Sequence, residues 1–524
     1  MDTKALRQKI LDLAIRGKLV PQDPDDEPAS VLLERIRQQK QQMVKEGKLK
    51  PKDIKNDSVI FVGEDNLHYE KFADGSVKCI EDEIPFDLPE GWAWERLSNL
   101  ASFSGGKTPS TSRSEYWDGD ILWVTSKDMK SKYITSSQLR LSALGAEQMQ
   151  MYQPDTLLLV TRSGILRHTL PVAILKECAT INQDLKAIIL YMPQLAEYIY
   201  VCLKGMETQL LLKYTKSGTT VENVNFDEFQ KVLLPIPPIQ QIDRIMSSTG
   251  SAESVVSTIE DDKAALADYV VKAKSKILDL AIRGQLVPQD PADEPATVLL
   301  ERIRAEKEEL IKQGKIKRDK KESFIFRGED NSYYVRQDTH TESIDEQFIF
   351  ELPDNWEWCS LLNIAKIELG KTLDSAKNIG TNYPYLRSVN VRWNEVDLSD
   401  LKGMRFEPEE LDRYTVRRND LLICEGGDVG RSCVWTDEKE ILYQNALHRV
   451  RFYGGCNPFY FMYYMMYYES RGIIKALCKG VTIKHLTGNV LSLIPFALPP
   501  IEEQDRIVER LNRIFVLLDS VICD

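Results

Sequence analysis

The chain has 524 residues, of which 43% are hydrophobic and 28% charged, a balance that excludes wholesale disorder. This length predicts about two to four domains. A net charge of −12 argues mildly against nucleic acid, but residues 86–240 hold 15 basic against 16 acidic side chains and residues 351–499 hold 18 against 19. Two near-neutral regions therefore lie between acidic connecting segments, and a neutral region can still present a local basic face.

The composition also predicts the compartment. The nine cysteines form no CxxC pair, which with five histidines gives no zinc-site spacing and fits a reducing cytoplasm. The N-terminal segment has the pattern of an amphipathic helix rather than a signal peptide. The Tyr- and Met-rich run from Phe459 to Tyr468 is about half as long as a membrane span, so we expect a buried helix there.

An internal repeat organises the chain. Residues 10–37 recur at 277–304 with 25 of 28 positions identical. Weaker matches pair residues 61–66 with 326–331, 88–94 with 352–358, 106–108 with 370–372, and 241–245 with 503–507. Similar frames thus hold two dissimilar inserts, which suggests one physical role performed twice and two different targets. A recent duplication with drifting loops is the alternative, although drift should also have changed the frames.

A long helix is predicted after Pro238, because apolar residues alternate there at spacings of three and four. They are Ile242, Ile245, Ala252, Val256, Ile259, Leu266, Val270, Ala273, Ile277 and Leu280. Gly284 and Pro288 should end this helix, which at roughly 40 residues would be about 60 Å long. Both chain termini continue the same phase. We therefore predict two antiparallel helical rods, one continuous and one assembled from the termini; ordinary core helices are the alternative.

The inserts have a different pattern. Each opens with two tryptophans, Trp92 and Trp94 or Trp356 and Trp358, at the spacing that places both rings on one face of a strand. Short β-branched runs broken by turn residues follow, at 121–124, 156–160 and 421–424. This pattern predicts mixed α/β domains with mostly antiparallel strands.

Basic and polar side chains recur in turn-rich parts of both inserts. Arg, Lys and Asn carry the donors that distinguish bases in the major groove, whereas Lys, Ser and Thr suit phosphates. Any one of them is more readily a solvated surface residue, but the set predicts DNA contact. The candidate residues are Lys107, Thr108, Ser110, Arg113, Lys127, Lys130, Arg162, Arg167, His168, Lys371, Arg387, Asn390, Arg392, Asn394, Arg431, His448, Arg449, Lys484 and His485.

No catalytic residue is assigned. The Gly-Lys-Thr at 106–108 resembles the end of a phosphate-binding loop, but Ala101 stands where the first glycine belongs and Pro109 follows directly. Neither Pro-Pro pair, at 237–238 or 499–500, belongs to an Asn/Asp-Pro-Pro-aromatic motif. We therefore expect no enzyme activity and no metal site. A methyltransferase or nuclease with cryptic motifs and a DNA-independent scaffold for two protein partners remain the alternatives.

The duplicated ILDLAIRGKLVPQDPxDEPA segment resembles the conserved regions of type I restriction–modification specificity subunits. The segments Trp92-Ala93-Trp94 and Gly218-Thr219-Thr220 and the closing Pro-Pro-Ile and Gln-Asp-Arg-Ile motifs add to the resemblance. It implies that each insert is a target recognition domain reading half of a split site in double-stranded DNA. The helical regions would space the inserts and dock two methyltransferase subunits, which restriction/translocase subunits then join. S-adenosylmethionine, ATP and Mg²⁺ would be held by those partners, and no cofactor by this chain.

The predicted fold class is α+β, with two mixed α/β target recognition domains separated by an antiparallel pair of long helices and a pseudo-two-fold repeat. The predicted domains are a helical region at 1–50, recognition domains at 51–237 and 318–499, a central helical region at 238–317 and a final helix at 500–524. We expect partner binding on the duplicated helical segments, at Leu13, Ile15, Arg16, Leu19, Val20, Leu280, Ile282, Arg283, Leu286 and Val287.

Overall fold

The computed structural model describes residues 1–216, 221–318, 323–330, 332–337, 340–344, 350–374, 378–478 and 485–523. The chain forms two compact units, Met1–Asp262 (the first unit) and Lys263–Asp524 (the second unit). Each unit contains one copy of the sequence repeat, followed by one insert.

Helices and strands alternate along the chain in each unit. The α-helices that begin in the first unit are α1 Thr3–Ile15, α2 Ala29–Lys45, α3 Leu97–Leu100, α4 Ala143–Ala146, α5 Ala196–Gly205, α6 Glu207–Tyr214, α7 Phe226–Phe229 and α8 Ile239–Ile282. Those that begin in the second unit are α9 Ala296–Lys312, α10 Leu361–Ile364, α11 Leu411–Tyr414, α12 Pro458–Ser470, α13 Ile473–Leu477, α14 Gly488–Leu493 and α15 Ile501–Cys523. The helix α8 has 44 residues, which confirms the predicted long helix.

The first unit contains β1 Ser58–Val62, β2 His68–Phe72, β3 Val77–Cys79, β4 Ala93–Arg96, β5 Ala101–Gly105, β6 Trp117–Val124, β7 Tyr133–Ile134, β8 Leu139–Leu141, β9 Leu157–Val160, β10 Arg162–Ser163, β11 Val172–Leu175, β12 Ala179–Ile181, β13 Leu185–Leu190, β14 Thr215–Lys216, β15 Glu222–Val224 and β16 Leu233–Ile236. The insert is built on a five-stranded sheet, β5-β13-β9-β11-β7, and a three-stranded sheet, β12-β6-β8. A separate sheet β1-β2-β3 and the ribbon β16-β4 link the insert to the helices.

The second unit contains β17 Ser323–Arg327, β18 Tyr333–Gln337, β19 His340–Ser343, β20 Glu357–Ser360, β21 Ala365–Leu369, β22 Thr381–Leu386, β23 Val391–Arg392, β24 Glu395–Val396, β25 Lys402–Phe406, β26 Thr415–Val416, β27 Leu421–Cys424, β28 Ser432–Val434, β29 Ile441–Tyr443, β30 Leu447–Phe452 and β31 Pro495–Leu498. Its two larger sheets are β21-β30-β27-β28 and β25-β22-β29-β26. Most described pairings in both units are antiparallel, as predicted, with β6–β12 and β22–β29 among the parallel exceptions.

Each unit pairs two helices in antiparallel fashion. In the first unit Arg7 Nη2, on α1, lies 2.7 Å from Glu260 Oε2. Asp26, in the loop between α1 and α2, forms an ion pair with Arg244 near the start of α8. The residue numbers of the contacts rise along the N-terminal segment and fall along α8, so the two segments run antiparallel.

The second unit repeats this helix pairing. Lys274 Nζ lies 2.5 Å from Asp519 Oδ1, and Asp293 Oδ2 lies 2.5 Å from Arg506 Nη2. The last turns of α8 therefore run antiparallel to α15. Within each unit, the predicted antiparallel pairing of helices is confirmed.

Glycine ends the first helix of each repeat because the chain turns tightly there against a proline. Gly284 has φ +69°, and a Cβ built on it would lie 2.5 Å from Pro353 Cγ. Gly17 has φ +64°, and a Cβ built on it would lie 2.6 Å from Pro89 Cγ. A side chain here would be strained and would also clash, which explains why both copies keep glycine.

Each unit has its own hydrophobic core. In the second unit the Tyr- and Met-rich run forms α12, whose side chains from Tyr460 to Met465 are buried. The predicted buried helix is thus confirmed. All four tryptophans of the repeated pairs are also buried, as expected. None of the helices in the described residues combines the length and the apolar character that a membrane span requires.

Candidate nucleic-acid interface

In each insert two parallel strands end side by side. β12 pairs with β6 in parallel, with Ile181 opposite Val124, and β29 pairs with β22, with Tyr443 opposite Leu386. Parallel neighbours end at the same edge of a sheet, so the segments that follow them meet. The N–H of Asn182 donates to Val124 O at 3.0 Å, and that of Gln444 donates to Leu386 O at 3.1 Å.

The Gly-Lys-Thr segments attach to this edge. Lys107 N–H donates to Ile181 O at 3.0 Å, and Lys371 N–H donates to Tyr443 O at 3.1 Å. A Cβ on the preceding Gly106 would lie 2.2 Å from Ile181 O. The glycine is therefore explained by a close backbone approach to a neighbouring strand end, not by a phosphate-binding loop.

A turn with the same hydrogen bonds follows β6 and β22. Thr125 N–H donates to Asp128 Oδ2 at 2.8 Å, and Arg387 N–H donates to Asn390 Oδ1 at 2.9 Å. In return, the N–H of Asp128 and of Asn390 each donate at 3.0 Å to the carbonyl of the first residue. We name residues 125–128 and 387–390 the edge turns. Their sequences are Thr-Ser-Lys-Asp and Arg-Ser-Val-Asn.

A third segment joins the edge after β9 and after β27. Thr161 N–H donates to Asp184 O at 2.8 Å, and Glu425 N–H donates to Ala446 O at 2.9 Å. In each unit we call four segments together the candidate DNA edge. They are the edge turn, the Gly-Lys-Thr segment, the segment after β9 or β27, and the segment after β12 or β29 that accepts its hydrogen bond. The same backbone contacts build it twice from dissimilar sequences.

The first unit exposes all nine of its predicted DNA-contacting residues, which are Lys107, Thr108, Ser110, Arg113, Lys127, Lys130, Arg162, Arg167 and His168. The candidate DNA edge brings together Lys107, Thr108, Lys127 and Arg162, with Thr108 hydrogen-bonded to Gln183. Ser110 and Arg113 belong to a flanking segment, whereas Lys130 N–H donates at 2.8 Å to the carbonyl of Asp128, the last residue of the edge turn.

Two of the exposed basic residues already have partners in the first unit. Arg167 Nε donates to Glu222 Oε1 at 2.7 Å. Arg113 Nη1 donates to Tyr116 OH at 2.8 Å, and its guanidinium lies 5.4 Å from the centre of that ring. DNA contact by either residue would therefore compete with, or add to, an existing interaction.

Four predicted residues of the second unit are buried, which corrects the prediction that they contact DNA. Lys371 forms an ion pair with Glu410, and Arg449, 1% exposed, forms one with Glu368. A cation held in this way inside the domain cannot reach a phosphate or a base without leaving its partner.

The other two buried residues hold local structure. Asn390 Nδ2 donates to Asp397 O at 2.9 Å and so supports the edge turn. His448 Nε2 lies 2.8 Å from Leu486 O, and burial lowers the pKa of His448. A neutral, buried imidazole adds no positive charge to the surface at neutral pH.

The three remaining arginines predicted to contact DNA in the second unit pair with carboxylates. Arg387 Nη2 lies 2.8 Å from Asp400 Oδ2, and Arg392 Nη2 lies 2.9 Å from Asp397 Oδ2. Arg431 pairs with Asp428. Asn394 and His485 are exposed. Lys484 and the Gly218–Thr220 segment lie outside the described residues.

The predicted partner-binding residues divide by burial. Ile15, Val20 and Ile282 are core residues, so the prediction that they bind a partner is corrected. Arg16 and Arg283 are half-buried and lie over the rings of Phe86 and Phe350, at 4.3 and 4.7 Å from the ring centres. Five residues are half-buried and remain candidates: Leu13, Leu19, Leu280, Leu286 and Val287.

Sequence reasoning missed the most exposed part of the duplicated segment. Pro-Gln-Asp-Pro at 21–24 and 288–291 is exposed in both units, as is Glu-Arg at 34–35 and 301–302. The fold accounts for part of this identity, because Gln22 and Gln289 donate to Gly17 O and Gly284 O, and Arg35 and Arg302 pair with Glu27 and Glu294. The duplication was the available signal for an exposed surface that the two units share.

Comparison with known proteins agrees with this architecture. The family model described as the type I restriction modification DNA specificity domain matches twice, at residues 89–252 and 353–519, which is more than half of the chain. The specificity subunit of the type I restriction enzyme EcoAI from Escherichia coli is 26% identical, over 98% of this chain and 88% of its own. That of EcoEI, also from Escherichia coli, is 25% identical, over 99% and 90%.

A solved structure supports the fold. One chain of a structure on the assembly and conformational transition of a type I R-M system covers 84% of this chain and 93% of its own, with a TM-score of 0.53 and 16% identity. At this identity the likeness concerns the fold alone. The two family matches, which cover more than half of the chain, show the family: the chain belongs to the type I restriction–modification DNA specificity family, the non-catalytic specificity subunits of these systems.

Proposed function

We propose that each unit reads one half of a bipartite sequence in double-stranded DNA through its candidate DNA edge. One observation carries this proposal. The edge is built twice from equivalent backbone hydrogen bonds, yet its side chains differ, as in the edge turns Thr-Ser-Lys-Asp and Arg-Ser-Val-Asn. A constant scaffold with variable side chains is what two readers of different half-sites require. We assign the two readers to residues 51–237 and 318–499.

The helical regions, at 1–50, 238–317 and 500–524, then space the half-sites and dock two methyltransferase subunits. Support comes from the duplicated exposed segments, Pro-Gln-Asp-Pro and Glu-Arg, because two identical surfaces suit two copies of one partner. Restriction/translocase subunits join the assembly. S-adenosylmethionine, ATP and Mg²⁺ are bound by the partners, and the complex acts in the cytoplasm.

An insert exchange tests this function. The complex of the full chain with its methyltransferase subunits is assembled, and its DNA site is mapped by footprinting and by sequencing of methylated bases. Replacing residues 86–235 by the insert of another family member should change one half-site and leave the other half and the gap unchanged. A change in both halves contradicts the modular assignment. Methyl transfer by the isolated chain would instead support the catalytic alternative.

A further inference from the structure

The third residue of the edge turn differs in chemistry between the two units, although the turn itself does not. The position is Lys127 in the first unit and Val389 in the second, each preceded by serine. Both turns are closed by the same pair of hydrogen bonds: the N–H of the first residue donates to a side-chain oxygen of the fourth, and the N–H of the fourth donates to the carbonyl of the first. The two side chains thus leave equivalent backbone positions at equivalent edges.

Neither side chain has an evident role in its own fold. Val389 is 56% exposed, so most of its apolar surface faces solvent. Lys127 is exposed, and its Nζ forms no ion pair or hydrogen bond with the described residues. Its backbone N–H donates to Thr125 Oγ1 at 3.3 Å.

The turns are held rigidly beneath these two side chains. In the first unit Asp128 Oδ1 accepts the N–H of Gln138 at 2.8 Å. In the second unit Arg431 Nη2 donates to Ser388 O at 2.9 Å, directly before Val389. A side chain presented from an anchored turn loses little freedom on binding, which favours its use in recognition.

We infer that Lys127 and Val389 are specificity-determining residues, each selecting one base in its half-site. Lys127 would donate to the O6 and N7 acceptors of a guanine, and Val389 would contact the 5-methyl group of a thymine; both features lie in the major groove. A phosphate contact would suit Lys127 but not valine, so a role shared by both positions points to the base edges. This inference rests on the proposed function, because it requires the candidate DNA edge to face DNA.

The test uses the full chain in complex with its methyltransferase subunits and a library of DNA sites with each half randomised in turn. Methylation is measured for every sequence. Lys127→Ala should reduce discrimination at one base pair of the first half-site by about tenfold and leave the second half unchanged. Val389→Ala should do the same in the second half only. Val389→Lys should shift the preference at that base pair from thymine to guanine.

Controls separate this inference from the function on which it rests. Lys127→Arg keeps the donors and should retain the guanine preference. Lys71→Ala, at an exposed position on the separate sheet β1-β2-β3, should leave both half-sites unchanged. If Lys127→Ala weakens methylation of all sequences equally, or changes nothing, the inference is overturned while the proposed function stands. If the unsubstituted complex selects no bipartite site, both fail.

Discussion

Where the insert joins the helical region, the two units have the same strand arrangement but different buried side chains. In the first unit Arg96, the last residue of β4, lies 2.7 Å from Glu70 Oε2 and 2.8 Å from Glu83 Oε2. In the second unit Ser360 ends the equivalent strand β20, and Val335 stands opposite Ile325 as Glu70 stands opposite Ile60. Where the first unit has a buried ion-pair network, the equivalent described positions of the second unit hold the neutral side chains of Val335 and Ser360.

The same lesson comes from the first tryptophan of each pair. Trp92 Nε1 donates to Gln241 Oε1 at 2.9 Å, and Trp356 Nε1 donates to Glu503 Oε2 at 2.9 Å. An amide and a carboxylate thus accept the same indole N–H at the same place. The frame requires an acceptor there but not a particular charge, because a buried donor left without a partner is what destabilises a fold.

The largest expected loss of stability follows from removing the cation of the buried ion-pair network in the first unit. Arg96→Ala should lower the free energy of unfolding by about 3–5 kcal/mol, because Glu70 would stay buried without its cation. Ser360→Ala, at the equivalent place, should cost about 1 kcal/mol or less. Urea unfolding of the full chain, with hydrogen exchange to locate the loss in one unit, measures both. Equal losses would show that the ion pairs do not distinguish the two junctions.

A smaller effect should appear in the pH dependence of the first unit. Burial raises the pKa of Glu95 to about 7, whereas the equivalent residue of the second unit is Cys359. A raised carboxyl pKa adds stability that is complete below about pH 4.5 and is lost as pH rises through 7, at ~1.4 kcal/mol per pKa unit. Glu95→Gln should remove this pH-dependent contribution to stability.

The free energy of unfolding of Glu95→Gln relative to the unsubstituted chain should therefore rise between pH 4.5 and pH 8. Urea titrations at several pH values measure this difference. A difference that stays constant over that range would mean that Glu95 does not bind its proton more tightly in the folded state. Cys359→Ser in the second unit is the matched control and should show no change with pH in the acidic range.

The smallest effect sharpens the comparison, because it should be equal in the two units. Arg244 and Arg506 pair with Asp26 and Asp293, whose side chains are 7% and 6% exposed. The arginines are more than a third exposed, so solvent screening keeps the contribution of each pair small. Arg244→Ala and Arg506→Ala should each lower the unfolding free energy of their own unit by the same small amount. Clearly unequal losses, in denaturation followed by hydrogen exchange, would mean that the two frames are not energetically equivalent.

The helical frame could be predicted from the sequence because its determinants are periodic and duplicated. Apolar spacing predicted α8, and Gly284 predicted its end. The candidate DNA edge could be predicted only in part. Its contacts join residues far apart in sequence, such as Lys107 and Ile181, through backbone atoms that carry no sequence signal.

Burial was the second obstacle to predicting the site. Residue type alone made Arg449 and His448 candidates for DNA contact, although the structure gives both a place in the interior. Val389 was overlooked for the opposite reason, because an apolar residue in a variable segment is normally expected in the core. Which side chains face outward depends on how the inserts fold, and their sequences share too little to reveal it.

The duplicated segment that ends α1 and α8 also makes recombination within the coding sequence possible. Residues 10–37 and 277–304 correspond at a constant offset of 267 residues, at the same structural position in each unit. Unequal recombination between the two coding segments would remove 267 codons in frame and join α1 to the segment that carries α9 and the second insert. The shortened product would retain α9, the second insert and α15, with α1 in place of the last turns of α8. A single genetic event could thus convert a reader of two half-sites into a reader of one.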